Sequence, residues 1–173
     1  MVSPGAGTII VTSFQEDCVQ EVWLATEIME DYMGDCGEPG TVLQGHRVHH
    51  VRITQPLGIA YDGEDVLYVS LHGMRKIIRA FISNDTVDGS FSISFHLTML
   101  HMQYRFHDLM LYVTIEHGLA KVHIPSQSIS LAMGSSIAGD AISHTNSTQF
   151  RFPQDIASLG SSRWIVNDIG NRR

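Results

Sequence analysis

The chain has 173 residues, 43% of them hydrophobic, with a mean hydropathy of +0.03 and a net charge of −7; this composition fits one globular domain and excludes a disordered tail. No apolar run approaches the roughly 18 residues that cross a bilayer, and Met1 to Thr12 lacks the basic and long apolar segments of a signal peptide. Residues 1–40 hold eight acidic residues and no Lys or Arg, and no basic stripe is present to displace phosphate counterions, so nucleic-acid binding is disfavoured.

The acidic run reads as a solvated face, with a cation or basic-partner site as the other reading. Along the chain, Ile9-Ile10-Val11-Thr12 is the first of four strands that end in Val plus a small polar residue. Leu67-Tyr68-Val69-Ser70, Leu111-Tyr112-Val113-Thr114 and Trp164-Ile165-Val166-Asn167 repeat it, and the valines are separated by 58, 44 and 53 residues. Spacings of this size match propeller blades with loop insertions.

Further offsets agree. Pro56 to Val69 and Pro153 to Val166 are both 13 residues, and Val69 to Ile78 and Val113 to Val122 are both 9, against 11 from Val11 to Val22. Val22 to Gly34 and Val122 to Gly134 are both 12, each glycine following Met33 or Met133. In the third repeat the proline position falls at Leu100, so that repeat is degenerate or has a differently built entry strand. β-Branched and aromatic runs alternate with turn formers such as Asp62-Gly63 and Asp88-Gly89. Consecutive apolar residues, as in Val66-Leu67-Tyr68-Val69, suit sheets covered on both faces. The prediction is an all-β chain of four-stranded blades over 8–53, 54–98 and 99–150, with an incomplete repeat over 151–173. A β-sandwich is the competing fold, although it does not predict a repeat of this length.

Pro56-x-Gly58-Ile59-Ala60-x-Asp62, followed by Leu67-Tyr68-Val69 and by Lys76 before Ile77-Ile78, resembles the NHL repeat. A looser copy runs from Pro153-Gln154-Asp155-Ile156-Ala157 through Val166-Asn167-Asp168 to Asn171-Arg172, and Tyr112-Val113 carries the third. The resemblance covers the chain from about Thr8 onward and implies a partial NHL-type β-propeller, similar to six-bladed propellers, of about three blades. An unclosed arc leaves apolar blade faces and strand edges in water. Both ends are therefore expected to be cut, with further blades in the full-length protein; closure by oligomerisation or an open arc are the alternatives.

For function, the resemblance implies a non-catalytic scaffold presenting loops, among them Gly34 to Ile53 and Gly134 to Phe152, to a protein, peptide or glycan. The alternative is a fragment of a metal-dependent propeller enzyme, similar to amidating lyases or to lactonases and esterases, with Asp62, Asn167 and Asp168 as candidate ligands or ordinary turn formers. RNA-binding, ubiquitin-ligase-associated NHL proteins fit least, given the acidic balance and the absence of RING or B-box cysteines. There is no Gly-x-Ser-x-Gly elbow, phosphate loop or Cys-x-x-Cys. No catalytic residue, metal ligand or cofactor is predicted.

Cys18 and Cys36 flank the last two strands of the first repeat and are either a disulfide, stabilising by about 3 kcal/mol, or two thiols. Asn84-Asp85-Thr86 and Asn146-Ser147-Thr148 are glycosylation sequons. A disulfide and sequons favour an extracellular protein over a cytoplasmic one. Of the ten histidines, His46, His49 and His50 cluster without a fixed carboxylate partner and read as solvated loop residues more readily than metal ligands. His101, His107, His117 and His123 read as strand and turn surface residues.

Overall fold

The computed structural model describes residues 1–173 apart from 6, 42–46, 95–98, 106–107, 136, 142–147, 161–162 and 173, and gives 89–94, 99 and 100 by backbone course alone. Among the sequence-selected residues, His46, His107 and Asn146 lie outside the described residues. The chain divides into two compact units, Met1–His96 and Leu97–Arg173.

The first unit holds two antiparallel sheets, ordered β1 (Thr8–Ser13), β2 (Cys18–Trp23), β3 (Ile28–Met33) and β4 (Pro56–Tyr61), β5 (Val66–Leu71), β6 (Lys76–Phe81), β7 (Thr86–Ser94). Its core runs between them: Ile10, Val19 and Met33 from one sheet meet Ile59, Leu67 and Val69 from the other. Val48, Val51 and Ile53 of the connecting segment are fully buried in the same core. This burial of both strand faces is what the consecutive apolar residues of β5 require.

The second unit holds β8 (Met99–Arg105), β9 (Met110–Ile115), β10 (Gly118–His123) and β11 (Ser128–Gly134) in one antiparallel sheet, and β12 (Pro153–Ser158) and β13 (Trp164–Asp168) in another. β12 packs against β8 and β9, and Met102, Leu111, Val113, Val122 and Ile156 fill the interior.

The small polar residue after each of the first three valines has a definite task. The entry strand of each complete sheet carries a bulge, between Pro56 and Ile59 in β4 and between Met99 and Met102 in β8. A bulge leaves backbone groups unpaired, and the neighbouring hydroxyl satisfies them. Ser70 Oγ accepts the Gly58 N–H at 2.7 Å, and Thr114 Oγ1 accepts the His101 N–H at 2.8 Å. Both hydroxyls are completely buried. Thr12, at the same point of β1, donates instead to the Leu57 carbonyl of β4, at 2.9 Å.

Met99, rather than Leu100, occupies the register position of Pro56, because β8 is one residue longer than β4 and the residue paired with the valine lies 11 positions before it, at Met102, instead of 10, at Ile59. The equal nine-residue offsets also do not mark equivalent positions. Val69 pairs with Ile78, but Val113 pairs with Ala120, because the β9–β10 turn is two residues shorter than the β5–β6 turn. A two-residue change keeps every side chain on its face, so the pattern survives while the alignment slips. Val22 and Val122 are true equivalents, opposite Ile9 and Leu111.

Successive sheets within each unit are tied by the same device. Gln55 and Phe152, each just before a proline, both have φ of 51°. Gln55 N–H donates to Asp17 Oδ1 at 2.7 Å, and Phe152 N–H to the Glu116 carbonyl at 2.9 Å. Asp17 and Glu116 occupy the corresponding turns of the first and third sheets.

Candidate functional site

The predicted signature residues are divided between architecture and surface. Pro56 and Pro153 begin β4 and β12, and Tyr68 and Val69 are buried in β5 with Val113 in β9. Asp62 Oδ1 accepts the N–H groups of Glu64, Asp65 and Val66 at 2.9–3.0 Å and so closes the β4–β5 turn. Asp168, only 2% exposed, accepts the Arg151 N–H at 2.8 Å and the Asn171 side-chain amide at 2.7 Å. These carboxylates hold backbone in place. Asn167 and Arg172 are exposed, and Val166 is half-buried.

Cys18 and Cys36 form a disulfide with Cα atoms 5.0 Å apart, tying the start of β2 to the turn beyond β3. Together with Asp31 they make the only group of three metal-capable side chains in close range among the described residues. With both sulfurs bonded to each other, neither supplies a thiolate. Asn84 is exposed in the β6–β7 turn, where its side-chain carbonyl accepts the Thr86 hydroxyl.

The histidines are dispersed. His49 Nε2 lies 3.3 Å from Asp85, and His123 Nδ1 lies 2.7 Å from Ser126 Oγ. His117 packs edge-on against Phe152. His101, like His117, is partly buried, and its Nδ1 lies 2.7 Å from Asp155 of β12. Burial holds its imidazole below the usual histidine range, against the upward pull of the Asp155 carboxylate. The repeat residue Asp155 therefore joins β12 to β8.

A different group forms a recess. Tyr112 of β9, Leu119 and Lys121 of β10, Ala132 and Met133 of β11 and Trp164 of β13 line an open groove of about 240 Å³. The Tyr112 and Trp164 rings lie 4.3 Å apart. The Arg105 guanidinium sits 4.8 Å from the Tyr112 ring centre and 5.7 Å from that of Trp164. Asp108 fixes this guanidinium through two hydrogen bonds, and this bonding raises the Arg105 pKa further. Stacking on an anchored guanidinium holds both rings in place. Burial raises the Tyr112 phenol, opposed by Arg105, so the groove keeps a neutral hydroxyl. A space this small admits one or two side chains; a cofactor needs several hundred Å³.

Of these residues only Tyr112 was selected from the sequence. Trp164 and Met133 stand in repeated strands, but the residues that meet here come from separate strands and their periodicity is shared with core positions.

No family model matches the chain, and no curated protein matches it in sequence. Among solved structures, "Structure of U3-55K" matches 79% of this chain over 38% of its own, with 11% identity and a TM-score of 0.55. "Crystal structure of RRP9 WD40 repeats" matches 75% over 36%, with 11% identity and a TM-score of 0.48. The chain thus spans well under half the length of either. At this identity the first likeness speaks for fold alone, and it agrees with the antiparallel four-stranded sheets: the chain is all-β and of the propeller type.

Proposed function

We propose that the chain is part of a non-catalytic interaction scaffold, a propeller of NHL type whose surface grooves and loops receive a partner protein. The observation that carries this reading is the groove of Tyr112, Lys121, Met133 and Trp164, an open recess whose aromatic walls are held rigid by Arg105 and Asp108. Rigid aromatic anchors beside a cation are characteristic of protein contact surfaces. The candidate ligands of the enzyme alternative support it less, since Asp62 and Asp168 are engaged by backbone donors. The Pro56-to-Asp62 signature favours NHL over WD40 blades, and the sequence contains no Trp-Asp dipeptide.

The sheets of three and two strands take further strands and blades in this reading, and further blades also fit the share of the structural neighbours that the chain covers. An extracellular setting fits the disulfide and the exposed Asn84 sequon. A glycosidase-sensitive mass shift at Asn84, after passage through a secretory pathway, tests that part.

The central reading is tested by placing a photo-crosslinking residue at Met133 in one preparation and at Thr26 in another. The same protein is assayed on an aryl ester and a lactone with added zinc or calcium. Protein adducts from Met133 but not Thr26, without turnover, are expected. Metal-dependent turnover overturns the scaffold reading in favour of the hydrolase.

A further inference from the structure

The disulfide of the first sheet has a third side chain against it. Asp31 Oδ1 lies 3.0 Å from Cys36 Sγ, and Cys18, Cys36 and Asp31 offer three ligand atoms all within 4.8 Å of one another. A disulfide sulfur carries no hydrogen, so the carboxylate receives no hydrogen bond from the sulfur it touches while the cysteines are bonded to each other. Gln20, opposite Asp31 across β2 and β3, donates its side-chain amide to the same oxygen at 3.4 Å and orients the carboxylate. This contact contributes little to the oxidised chain. Its chemistry belongs to the reduced one, where two thiols stand beside a carboxylate.

The local fold keeps the three positions together. Cys18 opens β2 and is fully buried, Asp31 lies in β3, and Cys36 is half-buried in the turn after β3. The Gly37 N–H ties that turn back by donating to the Glu16 carbonyl at 2.7 Å. Gly34, with a φ of 87°, reverses the chain close against Asp17 and Cys18. Cys36 is thus held beside Cys18 by more than the covalent bond. All three residues belong to one hairpin and the turn that follows it, so the group needs no strand beyond those of this sheet. Two thiolates and a carboxylate suit a borderline-soft divalent ion, zinc above all. A tetrahedral ion needs its two sulfurs about 3.7 Å apart, a separation that side-chain rotation supplies where the Cα atoms stand 5.0 Å apart.

We propose that Cys18, Cys36 and Asp31 form a zinc site that oxidation closes and a dithiol opens. Opening moves two electrons and two protons from the dithiol to the Cys18–Cys36 bond, and the dithiol leaves as its own disulfide. The two thiols lose their protons as the ion binds, Asp31 supplies the third ligand, and water completes the tetrahedron. The ion then takes over the tie between the start of β2 and the turn beyond β3. Among the described residues no histidine joins this group. The site shares no residue with the groove of Tyr112 and Trp164, and it stands or falls separately from the scaffold reading.

The test adds cobalt(II), and then zinc, to the whole chain before and after reduction with a phosphine. A thiolate-to-cobalt charge-transfer band, saturating at one ion per chain, is expected in the reduced protein and not in the oxidised one. Zinc is expected to bleach that band and to raise the melting midpoint of the reduced chain, leaving the oxidised chain unchanged. Asp31→Asn, with folding checked by circular dichroism, weakens zinc at least about tenfold, Asp35→Asn does not, and Cys36→Ser abolishes binding. No band after reduction, or zinc affinity indifferent to Asp31→Asn, overturns the proposal. So does zinc binding that survives Cys36→Ser, which assigns the ion to histidines, and equal affinity of the reduced chain held unfolded in urea. Zinc-dependent turnover of the aryl ester or lactone defeats the scaffold reading and leaves the zinc site standing, so the two fail separately.

Discussion

Two residues show how the repeat is held. Ser70 is buried with its hydroxyl bonded to the Gly58 N–H across the β4 bulge. Ser70→Ala leaves that N–H without a partner in a place water does not reach, and the expected loss is about 1–3 kcal/mol in urea unfolding. An unchanged midpoint would mean that the bulge is satisfied in another way. His101 supplies the second case. Its folded-state pKa is lowered, first by burial, so the folded second unit binds fewer protons than the unfolded chain just below the ordinary histidine value of about 6.5. Stability is then full above that value and falls as the pH descends through it. Unfolding at about pH 7.5 and pH 5.5 is expected to show this loss, with a shallower slope in His101→Gln.

At the level of strands and sheets, the disulfide closes the first three-stranded sheet against the turn beyond it. Replacing Cys18 and Cys36 together by Ser frees a loop with a sequence separation of 18 residues, and a loss of about 3 kcal/mol is expected in the unfolding of the first unit. Three of the four strands were legible in the sequence because the valine is followed by a side chain that plugs a bulge or bridges sheets, as Ser70, Thr114 and Thr12 do. The β6 and β10 alignment was misread because turn length changed by an even number of residues, leaving the alternation intact. The extra residue in β8 that sets Met99 in the position of Pro56 carries no signature of its own. The groove was not legible either: Arg105, Tyr112, Lys121 and Trp164 sit on four different strands, and their meeting depends on register.

For the whole molecule, sheets of three and two strands beside complete ones leave apolar side chains exposed. Trp23, Ile28 and Met29 on β2 and β3, Leu131 and Met133 on β11, and Ile165 on β13 are each at least 40% exposed. In the proposed reading these are the faces that further strands and blades cover. Photo-crosslinking from Met133, with Thr26 as the control position, beside the ester and lactone assay with added zinc or calcium, tests the scaffold reading most directly. Protein adducts at Met133, none at Thr26 and no turnover are expected. Metal-dependent turnover, or adducts that form equally at Thr26, would contradict it.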